Sequence, residues 1–277
     1  MNKLTIGVVT YNNSDEQLNQ LGKSLNLALS NLTIPNRVVD LLALDNGAES
    51  HWPELNFTLT RLPSQGNIGF SKGMNCLMET AFGDPTCDAF LCLNPDGALH
   101  RLALQAMLET LERDSVALLE ARQFPEEHPK PYDENTFDTL WASGACLLIP
   151  RVIWQRLGGF DPNLFMYLED IDLSWRARSA GFSVKVVPNA LFGHAVLGRK
   201  PSRDTARFML LSGRYLARKW RNQEFLHWAE SELISQGFFA SRDEMPAIAD
   251  CQDDPNLLND GVSDFDHLFY FSVPRWT

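Results

Sequence analysis

Short apolar runs alternate with helix-like segments along most of this chain, and that order limits the fold more than any other feature. An alternation of strands and helices predicts an α/β fold with a mainly parallel sheet flanked by helices. The predicted strands are Leu4–Thr10, Val38–Asp45, Phe57–Leu62, Ala89–Leu93, Val116–Ala121, Trp141–Pro150, Ser183–Val187 and Ala190–His194. The predicted helices run from Ser14 or Asp15 to about Leu29, over Phe70–Phe82 and Leu102–Arg113, from Arg151, and over Arg203–Asn222 and Glu224–Gln236.

The later part of the chain differs from this pattern. Two helical segments follow the last predicted strand, and the segment after them is acidic and only partly patterned. We therefore predict one main domain over residues 1–198 and a helical C-terminal appendage with an acidic tail over residues 199–277. An apolar share of 44% of 277 residues is enough for a sizeable core in the main domain.

Neither a membrane span nor a leader is expected from the pattern. No apolar run approaches the ~20 residues that cross a bilayer, and Met1–Asn12 lacks the features of a signal peptide. The five cysteines include no Cys-x-x-Cys pair. Reduced thiols in the cytoplasm fit this usage best.

Charge is unevenly distributed along the chain. A net charge of −11 argues against nucleic-acid binding, yet the segment Arg199–Arg221 holds eight basic residues and one acid. Such a segment could face an anionic membrane surface or a phosphorylated substrate. It could equally be a solvated helix face that pairs with the acidic tail.

Polar residues follow four of the predicted strands, where each strand ends. Because the carboxyl ends of parallel strands meet at one edge of a sheet, these residues are expected to form a ligand site. Turn formation alone would also explain any one of the groups. They are Thr10-Tyr11-Asn12-Asn13, Asp45-Asn46-Gly47, Gly66-Asn67-Ile68-Gly69-Phe70 and Asn94-Pro95-Asp96.

The familiar phosphate-binding loops are missing from the sequence. No G-x-G-x-x-G follows the first strand, and neither a P-loop nor a G-x-S-x-G motif is present. An enzyme without these loops can neutralise a diphosphate with a divalent cation held by carboxylate oxygens. Asp96 is the expected ligand, and His194, which ends a late strand, is a candidate second ligand or a structural histidine.

The segment GGFDPNLFMYLEDIDLSWRARSAGF, from Gly158 to Phe182, contains the strongest catalytic signal. Its helical spacing predicts a helix whose first turn holds Glu169 and Asp170, and Asp172 and Arg176 form an i,i+4 pair. Acids beside a run of apolar residues are costly unless they have partners or a function. The pair is therefore expected to take a proton from a sugar hydroxyl, although acids in a first turn can also serve the helix dipole alone.

Six segments together resemble family 2 inverting glycosyltransferases with the GT-A fold, over roughly Leu4 to His194. The LNPD and FMYLEDIDLSWR versions are most similar to bacterial rhamnosyltransferases of surface polysaccharide synthesis. The six segments are VVTYNN, LDNGAES, GNIGFSKGMN, LNPDG, SGACLLIPR and the Gly158–Phe182 segment.

The resemblance implies a role for each candidate residue. Asp170 corresponds to the catalytic base, with Glu169 beside it. Asn94 and Asp96 occupy the place of the family's Asp-x-Asp element, in which the first Asp is Asn here; Asp96 would reach Mg2+ or Mn2+, and His194 matches a late histidine near the metal. The remaining nucleotide-side residues are Thr10, Tyr11, Asn12 and Asp45 for base and ribose, and Asn67, Gly69, Phe70 and Asn75.

The implied reaction is a single displacement on a nucleoside diphosphate sugar. The resemblance implies dTDP-L-rhamnose as the first donor, UDP-hexoses as runners-up, and a saccharide or lipid-linked saccharide as acceptor. The basic segment Arg199–Arg221 is expected to hold that acceptor near the inner face of the membrane. Two alternatives stay open. One is a sugar nucleotidyltransferase, although TYNNSDEQ lacks the basic glycine-rich loop expected after strand one. The other is a nucleotide-sugar-binding protein without catalysis.

Overall fold

The computed structural model describes residues 2–194, 202–251, 258–268 and 273–274. Within them, a curled eight-stranded sheet has the order β3-β2-β1-β4-β8-β6-β9-β5, and a two-stranded sheet pairs β10 with β7. The strands β3, β2, β1 and β4 are parallel neighbours, as are β6 and β9, whereas β8 runs antiparallel to β4 and β6. This is the mainly parallel α/β sheet that the alternating pattern predicts.

The elements have the following bounds. The strands are β1 Asn2–Thr10, β2 Arg37–Asp45, β3 Thr58–Leu62, β4 Cys87–Leu93, β5 Ala98–Leu99, β6 Ala117–Phe124, β7 Glu126–Glu127, β8 Cys146–Pro150, β9 Ser183–Gly193 and β10 Val273–Pro274. The helices are α1 Asp15–Ser30, α2 Phe70–Gly83, α3 Ala103–Arg113, α4 Arg151–Leu157, α5 Glu169–Ser179, α6 Arg203–Lys219 and α7 Gln223–Ser235.

Local chemistry explains where the first helix begins. Ser14 accepts a hydrogen bond from the Gln17 main chain, while the Gln17 side chain accepts one from the Ser14 N–H. This capping box satisfies donors that a helix start leaves unpaired. The strand before it, β1, is almost wholly buried, because helices cover both faces of a parallel sheet.

The predicted strands differ from the observed ones in two regions. Trp141–Ala145 is not part of β8, because main-chain groups of this segment bond to α5 instead of a strand: Ala142 N donates to Ser174 Oγ (3.0 Å) and Gly144 N donates to Asp170 Oδ2 (2.7 Å). The two strands predicted between Ser183 and His194 form one strand, β9. Its pairing with β6 shifts register at the residues where the prediction divided it.

The topology brings the predicted polar strand ends to one edge. Thr10 lies opposite Asp45 at the carboxyl ends of β1 and β2. Leu93 at the end of β4 lies opposite Cys146 at the start of antiparallel β8, so residues 142–145 reach the same edge. β6 and β9 are parallel and end beside each other at Phe124 and Gly193.

A buried charge cluster fixes α6 to the rest of the fold. Lys219 Nζ contacts Asp161 Oδ2 at 2.7 Å and Asp172 Oδ1 at 2.8 Å. Tyr215 donates to Asp161 (2.7 Å), and Arg176 Nε contacts the other oxygen of Asp172 (2.8 Å). Burial alone would raise the pKa of Asp172, but the charges of Lys219 and Arg176 hold it below its ordinary value. The predicted Asp172–Arg176 pair is thereby confirmed.

Much of the predicted basic segment is engaged inside the fold. Lys219 is buried, Arg214 contacts Glu230 at 3.0 Å, and Arg203 and Arg207 lie over the rings of Phe238 and Phe239. Arg218 and Arg221 are exposed. The acidic partner Glu230 lies on α7, which favours internal pairing for part of the segment.

The predicted domain boundary stays a prediction. Residues 198 and 199 fall in the range 195–201, outside the described residues, as do Arg199 and Lys200 of the basic segment and several stretches of the acidic tail. The helices α6 and α7 do form the helical C-terminal part that the sequence predicts.

Replacing Lys219 by Met should destabilise the fold strongly. The change leaves Asp161 and Asp172 buried with one cation fewer, and breaking a buried pair in this way costs about 3–5 kcal/mol. The free energy of unfolding measured in urea should fall by that amount.

Arg218→Met is the matched control. Arg218 is the exposed neighbour on the same helix, so its loss should change stability by no more than about 0.5 kcal/mol. Equal losses in the two variants would show that the cluster does not hold α6.

Candidate active site

One end of the site, which the resemblance assigns to the nucleotide and which is called the nucleotide end below, is built on β1 and β2. The Thr10 hydroxyl, fully buried, donates to Asp45 Oδ1. Asn46 donates to the Gly69 carbonyl (2.9 Å), while its own Oδ1 is buried without a hydrogen-bond partner among the described residues. An acceptor left unpaired in this way is costly unless a ligand or water satisfies it. Asn46, which the sequence placed among the polar strand ends without a role of its own, therefore belongs with this end.

Asn12 and Tyr11 follow Thr10 in the chain, and their environments differ. Asn12 has a φ of 53° and its Oδ1 accepts the Ala48 N–H at 3.1 Å, so it joins the loops after β1 and β2. Gly47 is required there, because a Cβ would come within 2.5 Å of Asn12 Oδ1. Tyr11 is 58% exposed, which leaves its ring accessible to a base or ribose.

Gly69 and Phe70 join the nucleotide end to the loop that precedes the acids. Phe70 N donates to the Phe165 carbonyl at 2.8 Å. Gly69 has a φ of +85°, and a Cβ there would lie 2.4 Å from the same carbonyl, so this contact requires glycine. Asn67 accepts the Gly69 N–H at 3.2 Å and thereby shapes the turn.

Asn75 is placed differently from the other nucleotide-side candidates. Its amide exchanges two hydrogen bonds with the main chain of Phe160, each 2.8 Å long. The arrangement ties α2 to the Gly158–Leu168 loop. Its contact to a nucleotide stays a prediction, while the structure gives Asn75 a positioning contact.

Asp96 and His194 come together at the opposite end of the edge. Asp96 Oδ1 lies 3.2 Å from His194 Nε2, and His194 Nδ1 lies 3.1 Å from Gln123 Oε1. With Nδ1 donating to Gln123, the Nε2 lone pair faces a carboxylate oxygen. That contact is favourable when a proton or a cation lies between them.

This donor set fits a divalent metal ion that also binds a diphosphate. Carboxylate oxygen and imidazole nitrogen both bind Mn2+, and a histidine ligand commonly donates its other N–H as His194 does here. No group of three or more potential ligands occurs among the described residues. The remaining positions would fall to phosphate oxygens and water, as is usual for Mg2+. Asn94 precedes this pair, and its N–H bonds to Ala145 O at 2.9 Å.

The acid pair begins α5 after a strained turn. Tyr167 and Leu168 have φ values of 72° and 67°, a left-handed conformation that costs about 1–2 kcal/mol per residue for side chains of this kind. Ser212 of α6 donates to the Met166 carbonyl at 2.8 Å and holds the turn. Such strain often marks functional segments, and no glycine or asparagine in the sequence signals it.

Burial dominates the electrostatics of the pair. It raises the pKa of Glu169 well above the ordinary value, and the neighbouring Asp170 charge raises it further. Burial also raises the pKa of Asp170, although the N–H groups of Gly144 and Ile171 act in the opposite direction. Desolvation therefore outweighs the main-chain N–H groups that favour the ionised form of Asp170.

The two acids also differ in access. Glu169 is 6% exposed and its Oε2 has no hydrogen-bond partner among the described residues, whereas Asp170 is partly exposed. A Cβ on Gly144 would lie 3.4 Å from Asp170 Cβ and 3.7 Å from the Phe70 ring. The acid pair is thus in contact with the nucleotide end through Phe70 and Gly144.

Sequence reasoning missed two charged residues beneath the acids, Glu120 and Lys130, which form a buried ion pair. Glu120 carried a signal, since it is the one acid within the apolar strand pattern VALLEARQF. Lys130 lies in the segment Gln123–Asp138, whose many prolines and charged residues predict a loop or lid. Nothing in that composition indicates a buried lysine.

Comparison with known proteins identifies the class. Residues 98–219 match the family described as Glycosyltransferase like family 2. The N-acetylglucosaminyl-diphospho-decaprenol L-rhamnosyltransferase of Mycobacterium tuberculosis is 26% identical over 68% of this chain and 74% of its own length. The rhamnosyltransferase WbbL of Escherichia coli is 39% identical over 21% of each chain.

Solved structures establish the fold. GalNAc-T7 with UDP, GalNAc and Mn2+ has a TM-score of 0.62 and 12% identity, covering 86% of this chain and about half (51%) of its own. The mannosyltransferase PcManGT of Pyrobaculum calidifontis with GDP-Man and Mn2+ has a TM-score of 0.56 and 14% identity, covering 86% and 76%. This chain therefore resembles the family 2-like glycosyltransferases over residues 98–219 and has the GT-A fold of these solved structures, as the resemblance predicted.

Glu169→Gln should stabilise the protein above neutral pH. The folded-state pKa of Glu169 is raised, so the wild type loses stability as pH rises from the unfolded value of about 4.3 towards the folded one. The neutral amide has no such loss. In urea denaturation the gain should be near zero at pH 4 and grow as the pH rises from the unfolded to the folded pKa, where each pH unit of linkage is worth about 1.4 kcal/mol.

The control is Glu112→Gln, which replaces an exposed glutamate on α3. It should shift stability by less than about 0.5 kcal/mol across the same range. A Glu169→Gln difference that does not vary with pH would contradict the buried, proton-binding state of Glu169.

Proposed function

We propose that this chain is an inverting glycosyltransferase in which Asp170 is the general base. The observation that carries the proposal is the placement of Asp170, partly exposed and hydrogen-bonded to Gly144, at the sheet edge that also holds Thr10, Asp45 and Asp96. Asp170 takes the proton of the acceptor hydroxyl as that oxygen attacks the anomeric carbon. The bond to the nucleoside diphosphate breaks on the opposite face, which inverts the centre.

The electrostatics of Asp170 suit this role. A base is most effective when its pKa lies near the working pH, and burial moves the pKa of Asp170 upward in that direction. The Gly144 N–H fixes one oxygen at 2.7 Å, so the carboxylate is oriented before substrate arrives. Glu169, more deeply buried, is the neighbour whose charge state is coupled to Asp170.

The proposed donor is a nucleoside diphosphate sugar, with dTDP-L-rhamnose first and UDP-hexoses second. Support comes from the two relatives named as rhamnosyltransferases and from the nucleotides in the two structural neighbours. Thr10, Tyr11, Asn12 and Asp45 would contact base and ribose. The loop Asn67–Phe70 would lie on the same side, with Asn75 behind it.

The proposed acceptor is a saccharide or lipid-linked saccharide. The Mycobacterium tuberculosis relative is named for a diphospho-decaprenol acceptor, and the exposed Arg218 and Arg221 would suit a phosphorylated one. No helix in the described parts of the chain is long and apolar enough to cross a membrane. The five free cysteines support a cytoplasmic site of action, with peripheral contact at the inner membrane face.

Asp96 and His194 would hold Mg2+ or Mn2+ in this proposal, with Asn94 beside them. The ion would stabilise negative charge on the leaving diphosphate. Gln123 holds the imidazole, and Gly97 permits the approach of Phe192, since a Cβ at Gly97 would lie 2.0 Å from that ring. The sugar nucleotidyltransferase alternative has no support from the family match.

Asp170→Asn should lower turnover by about 10²–10⁴, because removing a general base has that effect. The amide keeps the shape and leaves donor affinity nearly intact. Release of nucleoside diphosphate from dTDP-L-rhamnose and UDP-hexoses with a saccharide acceptor measures the rate. Glu169→Gln should do less; if Asp170→Asn keeps more than about a tenth of the turnover while Glu169→Gln loses it, the two roles must be exchanged.

Asp96→Ala should weaken metal-dependent nucleotide binding, because the diphosphate loses its counter-charge. A thermal-shift series with dTDP and UDP, with and without Mn2+, measures this, since a ligand that binds only the folded state raises the melting temperature. His194→Ala tests the second ligand, and Asp243→Ala, an exposed acid on a distant turn, is the control. Unchanged Mn2+-dependent stabilisation in Asp96→Ala would remove Asp96 from the role.

A further inference from the structure

Lys130 is a buried cation that the proposed reaction does not use. It is 7% exposed, although it lies in a segment without regular structure between β7 and β8. Its Nζ contacts Glu120 Oε2, donates to the Trp141 carbonyl at 2.8 Å and lies 4.1 Å from the centre of the Trp141 ring. A desolvated ammonium persists only with such partners.

Glu120 connects this lysine to the acid pair. It lies on β6 opposite Leu147 of β8 and pairs with Lys130, which donates to the Trp141 carbonyl. Three residues further along the chain, the Gly144 N–H donates to Asp170 Oδ2. The segment from Trp141 to Gly144 therefore joins the Lys130–Glu120 ion pair to Asp170.

The surroundings of this cluster are strongly acidic. Burial raises the pKa of Glu120, and Asp170 contributes to that rise, while Lys130 opposes the rise at both Glu120 and Asp170. The other titratable groups that face the cluster are Glu169 on α5, Cys92 on β4, Cys146 on β8 and His128, whose ring contacts Trp141. Glu120 and Asp170 thus share the charge of Lys130.

We propose that Lys130 and Glu120 are positioning residues whose opposite charges set how readily the Glu169–Asp170 pair binds a proton. Lys130 favours the ionised pair, and Glu120 both holds Lys130 in place and favours the protonated pair. The inference rests on the proposed role of Asp170 as the base. It assigns the segment around Lys130 a part in catalysis without contact to substrate.

The two residues therefore have opposite effects on pH dependence. The acid limb of the kcat/KM profile reports protonation of the base in the free enzyme. When two acids interact, the apparent pKa of that limb belongs to the pair and not to either residue. Lys130→Met removes a positive charge, so the limb should move to higher pH. Glu120→Gln removes a negative charge, so the limb should move to lower pH. A merely structural ion pair would lower activity in both variants without opposite displacements.

The experiment measures kcat/KM against pH for wild type, Lys130→Met, Lys130→Arg and Glu120→Gln. On the acid side of the profile, the activity of Lys130→Met relative to wild type should be on the order of tenfold lower than the same ratio at the pH optimum. Lys130→Arg should restore the wild-type limb. If Lys130→Met folds poorly, the double variant Glu120→Gln/Lys130→Met carries the test, with a limb at higher pH than that of Glu120→Gln. Limbs that coincide in all variants contradict either the role of Lys130 or that of Asp170 as the base, and a second measurement decides between them.

A second readout separates this proposal from the assignment of the base. The free energy of unfolding is measured against pH for each variant, once with Asp170 in place and once with Asp170→Asn added. The difference between the two curves reports proton binding at Asp170 and does not depend on catalysis. Opposite displacements here with an unmoved kinetic limb support the role of Lys130 and refute Asp170 as the base. No displacement in the difference curves refutes the role of Lys130, whatever the kinetics show.

Discussion

The contact of Lys219 with Asp161 and Asp172 is the interaction on which the rest of the site depends. Asp161 belongs to the loop that leads to the acids, and Asp172 to the first turn of their helix. One lysine from α6 therefore fixes loop and helix together. Arg176 closes the arrangement, since it bonds to Asp172 and to the carbonyls of Leu157 and Gly159. Two cations and two anions balance within this buried cluster, which makes its burial tolerable.

That anchoring explains how a costly site can persist. The strained turn at Tyr167 and Leu168 and the buried Glu169 each make the folded state less stable. Contacts on either side hold both features in place. Ser212 of α6 bonds to Met166 before the turn, and Lys219 of α6 contacts Asp172 after the acids. The Gly144 N–H bonds to Asp170. The apolar contact of Trp175 with Trp220, with ring centres 5.3 Å apart, adds to this support. Stability is thus concentrated around residues that are individually unfavourable.

Sequence patterns predicted the elements well but not the partners of their side chains. Periodicity predicted β1, α2 and α5 closely, because apolar spacing reflects burial directly. It failed at Trp141–Ala145, whose composition suits a strand, because hydrogen bonds to α5 replace strand pairing there. The contacts Asp96–His194 and Lys219–Asp161 join residues 98 and 58 positions apart. No local pattern encodes such distances, so the first contact was anticipated only because both residues are candidate metal ligands, and the second not at all.

The C-terminal helices have a different role from the one that their composition suggested. Composition suggested a basic surface on α6, yet Lys219 points inward and Arg214 pairs with α7. Charge counts cannot separate buried from exposed lysines, since the cost of burying one depends on partners that come from elsewhere in the chain. Because Phe208 stacks on Phe165 at 5.1 Å, α6 also shapes the loop before the acids. The acid pair thus takes its geometry from a helix that the sequence placed outside the catalytic domain.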